Sequence, residues 1–197
     1  MKLRIPAVLL ALLMVTGCAS VPPSQTNDVC VIFDEKGGLL NNWYRYASRA
    51  EREFGVPVPI IMATIWQESR FVAKARPPRE RLLGLIPWRR PSSAFGYSQA
   101  KTETWRWYKE NTGKRRARRS SFKHASHFVG WYHAQSHRMN GIALNDAYNL
   151  YLAYHEGHGG FRRGTYRNKA WLMDVARRVE RQSQVYQQQL ASCRRRR

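Results

Sequence analysis

The stretch from Pro59 to Phe71 restricts this chain more than any other. Ile60, Ile61, Met62, Ala63, Ile65 and Trp66 follow one another with Thr64 as their only polar companion. Pro59 suits the first position of a helix, where its missing N–H is not needed. A helix that is apolar on every side belongs in the middle of a domain, with other elements packed around it. Glu68 closes this run. Its carboxylate would sit on a buried helix, where desolvation disfavours the charged form, and near the C-terminal end of the helix dipole, which repels it. Both effects raise its pKa toward the range useful to a general acid at neutral pH. The plainer alternative is an ion pair between Glu68 and one of the many arginines, Arg70 for instance.

The remaining chain supplies helices to surround this one. Leu40, Trp43, Ala47, Ala50 and Phe54 recur at spacings of three and four, which predicts an amphipathic helix from about Leu39 to Phe54, stopped by Gly55. Further helices are predicted over Thr102 to Asn111 and from a Ser120 or Ser121 cap to Met139. The second of these carries a stripe of Phe122, Ala125, Val129, Tyr132, Ser136 and Met139. Asn145 can cap another helix ending at Glu156, after which Gly157, Gly159, Gly160 and Gly164 read as a flexible loop. A last helix runs from about Lys169 to Ser192, with Leu172, Val175, Val179, Tyr186 and Leu190 on one side. Pro77, Pro78, Gly84, Pro87 and Pro91 exclude a continuous helix between Arg76 and Ser93. That segment reads as a packed surface insertion, with a flap over a cleft or a membrane-facing lip as the alternatives. Lys114 to Arg119 holds five basic residues in six and reads as a solvated, mobile loop, with polyanion docking as the alternative. No repeat and no persuasive strand stands out, so the fold class is mainly α.

The ends of the chain bear on where it works. Lys2 and Arg4 precede an apolar run of 11 residues, Ile5 to Val15, too short to span a bilayer and suited to a signal peptide. Val15-Thr16-Gly17-Cys18 resembles a bacterial lipobox, which would make Cys18 the lipidated first residue of the mature protein. Ala19 rather than Asp after it resembles the outer-membrane sorting pattern of such lipoproteins; an ordinary cleaved signal is the alternative. The expected organisation is a lipoprotein signal peptide (1–17), a lipidated cysteine and tether (18–36), one domain (37–193) and a basic tail (194–197). The net charge of +21 favours polyanionic partners such as nucleic acid, anionic lipid or cell-wall polymer. Export argues against nucleic acid. Cys30 and Cys193 then form an even pair in an oxidising compartment and read as one disulfide, with two free buried thiols as the alternative.

Three short motifs now fall in order. Glu68-Ser69-Arg70-Phe71, Gly96-Tyr97-Ser98-Gln99 and Ala153-Tyr154-His155-Glu156-Gly157 resemble the Glu-Ser-x-Phe, Gly-Leu-Met-Gln and Ala-Tyr-Asn-Ala-Gly segments of lytic transglycosylases of the soluble-lytic-transglycosylase type. The second keeps only its Gly and Gln, and the third has His for Asn and Glu for Ala. The resemblance implies a lysozyme-like helical domain with a catalytic cleft, acting on peptidoglycan without metal or cofactor. Together with the lipobox-like leader, the expectation is a periplasm-facing lipoprotein of a Gram-negative outer membrane, held by its lipid anchor and monomeric.

By that resemblance Glu68 protonates the oxygen between N-acetylmuramic acid and N-acetylglucosamine, then acts as base on the muramyl C6 hydroxyl to close a 1,6-anhydro ring. Ser69 would orient substrate or Glu68, Gly96, Tyr97 and Gln99 would belong to the substrate-binding segment, and Tyr154 would place its hydroxyl near Glu68. His155 could donate a hydrogen bond as Asn would. Glu156 is either a second carboxylate, which would allow lysozyme-type hydrolysis, or the partner of an arginine outside the cleft. A non-catalytic basic wall-binding or lipopolysaccharide-binding module is the remaining alternative. The pairs His124/His127, His133/His137 and His155/His158 have metal-compatible spacing but no evident third ligand.

Overall fold

The apolar stretch forms a helix enclosed by the others. The structure, a computed structural model, describes residues 21–39, 41–79, 81–82, 86–87 and 90–194. The leader, Cys18, Leu40, the centre of the 76–93 insertion and the end of the basic tail lie outside the described residues. The helices are α1 (Val29–Glu35), α2 (Trp43–Phe54), α3 (Val58–Ser69), α4 (Thr102–Thr112), α5 (Phe122–Asn140), α6 (Ala147–Arg162) and α7 (Ala170–Arg194). A 3-10 turn spans Thr165–Asn168. Between α3 and α4, β1 (Arg81–Leu82) pairs antiparallel with β2 (Ile86–Pro87), Leu82 facing Ile86. This two-residue ladder is a local hairpin, and the architecture is mainly helical.

α3 lies against α2, α5 and α7, and every residue from Val58 to Trp66 is buried. Pro59 occupies the second helical position rather than the first, Val58 preceding it; the N–H of Val58 is taken by the Glu51 carboxylate at 3.0 Å. Each fully buried Ile or Met on such a helix stabilises the fold by about 1.5–3 kcal/mol. Trp43 of α2 stacks on Phe122 of α5 with ring centres 3.8 Å apart, which joins these two helices.

Several boundaries differ from those expected. The tether does not reach residue 36: Asp28 caps α1 through the N–H groups of Cys30 and Val31, and Val29, Ile32 and Phe33 enter the core. The domain therefore begins before residue 37. α2 starts at Trp43 because the Asn42 side chain accepts from the Arg45 N–H, and Leu39 is left exposed. α6 does not stop at Glu156 but bends at Gly157 and continues to Arg162, so the glycine-rich segment is mostly helix rather than loop. Met139, expected on the buried stripe of α5, is exposed, while His127, Phe128, Trp131 and His133 are buried. Cys30 and Cys193 form a disulfide, with Cα atoms 6.2 Å apart, fastening α1 to the end of α7.

Candidate active site

Glu68 sits in the last turn of α3, just before the backbone reverses. Arg70 and Phe71 both adopt left-handed conformations, φ 49° and 61°, which is uncommon for side-chain-bearing residues and persists where packing imposes it. Phe71 is fully buried. Arg70 is thrown outward, its guanidinium 3.5 Å from the centre of the Trp66 ring. That placement removes the ion pair that was the plainer reading of Glu68. Among the described residues no cation pairs with its carboxylate. Burial raises the Glu68 pKa from its ordinary 4.5 to about 7, against the opposing pull of a hydrogen bond from Tyr151.

Tyr151, on α6, donates its hydroxyl to Glu68 Oε1 at 2.9 Å. The reading of the sequence placed Tyr154 in this position. Tyr154 lies in the same cleft, but its hydroxyl donates to the Ser98 carbonyl at 2.6 Å, tying α6 to the 96–99 loop. The two rings lie nearly parallel with centres 6.4 Å apart. Tyr151 precedes Tyr154 by three residues and so shares its helix face; that spacing is the signal that was available for it. Burial pushes the Tyr151 phenol well above its ordinary pKa, helped by the neighbouring carboxylate, so it stays a donor throughout the working range.

The 96–99 loop is a buttress more than a contact surface. Gly96 has φ 77°, and a Cβ there would collide with the Arg119 carbonyl. Tyr97 is buried in the core, edge-on to Trp43 and Phe122, and does not line the Glu68 cleft. Gln99 does line the cleft, while its amide donates to the carbonyls of Ala75 and Gly96 at 3.0 and 2.7 Å. Ser69 likewise turns away: it is buried and its hydroxyl bonds the Ile65 carbonyl within its own helix. Of the expected substrate-binding residues, Gln99, Tyr154 and His155 line the Glu68 cleft; Ser69, Gly96 and Tyr97 act behind it.

His155 and Glu156 also line the cleft. The Glu156 carboxylate is covered and held by Lys169 Nζ at 2.7 and 2.8 Å, with the Thr165 hydroxyl as a further donor. Its partner is thus a lysine beside the cleft rather than an arginine away from it. Burial alone would raise its pKa, but the bonds from Lys169, Thr165 and His155 outweigh that and bring it down to about 2. His155 Nδ1 lies 3.2 Å from Glu156 and its ring stands edge-on to the exposed Trp171. Gly157 follows at φ 75°, ψ 158°, a conformation essentially reserved for glycine, and this bend sets the wall at its angle.

The cleft holds about 570 Å3. Size does not single it out, since hollows of about 500 and 490 Å3 open elsewhere. The buried carboxyl does. Among the described residues no group of three His, Cys, Asp or Glu side chains could hold a metal ion. With this geometry, residues 6–193 match the family described as the transglycosylase SLT domain. The chain belongs to that family. No curated protein and no solved structure matches it. Membership of the transglycosylase SLT family makes this an enzyme acting on peptidoglycan, and the mainly helical architecture is the lysozyme-like one such a domain adopts.

Proposed function

We propose that the protein is a lytic transglycosylase in which Glu68 alone serves as acid and then base. The observation that carries this is a buried carboxyl in the cleft, uncharged up to about pH 7, while the other carboxyl lining the cleft is already committed to Lys169. In the first step the protonated Glu68 gives its proton to the oxygen linking N-acetylmuramic acid to N-acetylglucosamine. The substrate's N-acetyl group stabilises the cationic centre that results. Glu68, now a carboxylate held by the Tyr151 hydroxyl, takes the proton of the muramyl C6 hydroxyl, which closes the 1,6-anhydro ring. The proton count balances and no water is consumed.

A hydrolase of the lysozyme type would need a second carboxylate as nucleophile or base. Glu156 is poorly suited, because a group with a pKa near 2 and both oxygens engaged by an ammonium is a weak base. The deciding experiment is mass spectrometry of products from purified sacculi treated with the protein. Anhydro products, lighter by one water than hydrolysed ones, are expected, and their loss is expected in Glu68→Gln. Hydrolysed products, or an active Gln variant, would overturn the assignment. We further propose export and lipidation at Cys18, which places the enzyme at the periplasmic face of an outer membrane. The Cys30–Cys193 disulfide supports an oxidising compartment, and an N-terminal peptide without acyl chains in the mature protein would refute the anchor.

A further inference from the structure

The far end of α4 opens on a second hollow, of about 500 Å3, whose wall carries Arg49, Lys114, Arg115, Arg116 and Lys123. It lies roughly 14 Å along the α4 axis from Thr104 of the Glu68 cleft, at 1.5 Å per residue. These cations come from three separate stretches: α2, the loop after α4, and the first turn of α5. Among the described residues none of the five takes part in an ion pair, and no carboxylate lines the hollow. The nearby Glu53 is bonded to His127 at 3.0 Å.

The loop is shaped rather than merely solvated. Gly113 ends α4 in a left-handed conformation, and successive turns close through Arg115 N–H to the Gly113 carbonyl at 2.8 Å and Ala117 N–H to the Lys114 carbonyl at 2.9 Å. Ala117 is buried, and its carbonyl accepts from Trp105 Nε1 at 3.4 Å. The Arg118 N–H donates to His124 Nδ1 at 3.1 Å. A neutral His124 must then carry its proton on Nε2, which leaves that nitrogen a donor on the pocket wall. Burial, followed by the charges of Lys123, Arg118 and Lys114, holds His124 below its ordinary pKa.

Five like charges around one hollow repel one another, and a compact multivalent anion relieves that best. A lone carboxylate offers one charge and two oxygens. A phosphate offers up to two charges and enough oxygens for several guanidinium forks at once. We propose that Arg49, Lys114, Arg115, Arg116, Lys123 and His124 form a binding site for a phosphomonoester or diphosphate group, separate from the glycan cleft and not dependent on Glu68 being catalytic.

The test is isothermal titration of the full chain with inorganic pyrophosphate in physiological salt, with the His124 ring followed by NMR. The comparison pair is Arg115→Gln/Arg116→Gln against Arg162→Gln/Arg163→Gln, which removes equal charge from exposed positions at the end of α6. Saturable binding is expected, with a shift of the His124 ring. Affinity should fall about tenfold or more in the first variant and change by no more than about twofold in the second. Competition by vesicles containing phosphatidate, but not by phosphatidylcholine vesicles, would assign the phosphate to a lipid headgroup; absence of competition would assign it to a soluble ligand. Lack of saturable binding overturns the proposal. So does equal weakening in both variants, or tighter binding of peptide-stem carboxylates from muropeptides than of pyrophosphate.

Discussion

Replacing Glu68 by Gln should stabilise this protein at neutral and alkaline pH while removing its chemistry. The carboxyl titrates near its ordinary 4.5 in the unfolded chain but at about 7 in the native state. Below pH 4.5 both states hold the proton and the group costs nothing. Between 4.5 and about 7 the unfolded chain binds fewer protons than the native one, so native stability falls as the pH rises. Above that window the loss is complete, and the whole difference corresponds to about 3 kcal/mol. The carboxyl keeps an opening to the cleft, and water there screens part of the effect, so roughly 1–3 kcal/mol is expected. Gln is neutral at every pH and can still accept the Tyr151 hydroxyl, so the variant escapes the loss. Urea denaturation of both proteins at pH 4.5 and pH 8 measures it: the advantage of Gln should be larger at pH 8 by that amount, or about 2–4 °C in Tm for each kcal/mol. Other titrating groups are common to both proteins and cancel. An advantage that does not grow with pH, or a variant less stable at pH 8, would refute the claim that burial keeps Glu68 protonated.

Tyr151→Phe removes the Tyr151 hydrogen bond that lowers the Glu68 pKa, so the alkaline limb of the pH–rate profile should move upward while kcat falls; an unmoved limb would separate Tyr151 from the acid. Gly157→Ala meets no atom within 4 Å but must occupy φ 75°, and should cost roughly 1–3 kcal/mol from backbone strain alone, read as a lowered denaturation midpoint. An unchanged midpoint would contradict it. Cys30→Ser with Cys193→Ser opens a loop of 163 residues, and the chain-entropy model puts the cost at about 5 kcal/mol. Thermal melts of the double variant and of the reduced wild type should fall together, whereas melts unchanged by reduction would show that the bridge contributes nothing.

Much of the architecture was legible because it is written in local patterns. The apolar run, broken only by Thr64, predicts α3 at the centre, the stripes of apolar residues predict α2, α5 and α7 to within a few residues, and the helix expected over Thr102 to Asn111 matches α4. What local patterns miss is compensation from a distance. α1 is only seven residues long and too short to persist alone; it is held by the disulfide and by Val29, Ile32 and Phe33 in the core. The glycines after Glu156 suggest a break, yet Gly157 lets one helix bend and resume.

The same division runs through the site. An acid at the end of a nearly all-apolar helix already points to a desolvated Glu68, and the helix itself carries no cation to pair with it. Whether it is also unpaired depends on where the chain turns next, and that was decided by packing: the left-handed Arg70 lays its charge on Trp66 while Phe71 fills the core. Tyr151 and Tyr154 carry the same phenol on the same face, so only the position of the Ser98 carbonyl settles which one reaches the acid. Ser69 follows Glu68 directly and Tyr97 lies within the Gly96–Gln99 motif, yet both turn their side chains into the protein. Sequence order sets which groups are available; the crossing of α3, α6 and the 96–99 loop selects which of them face the cleft.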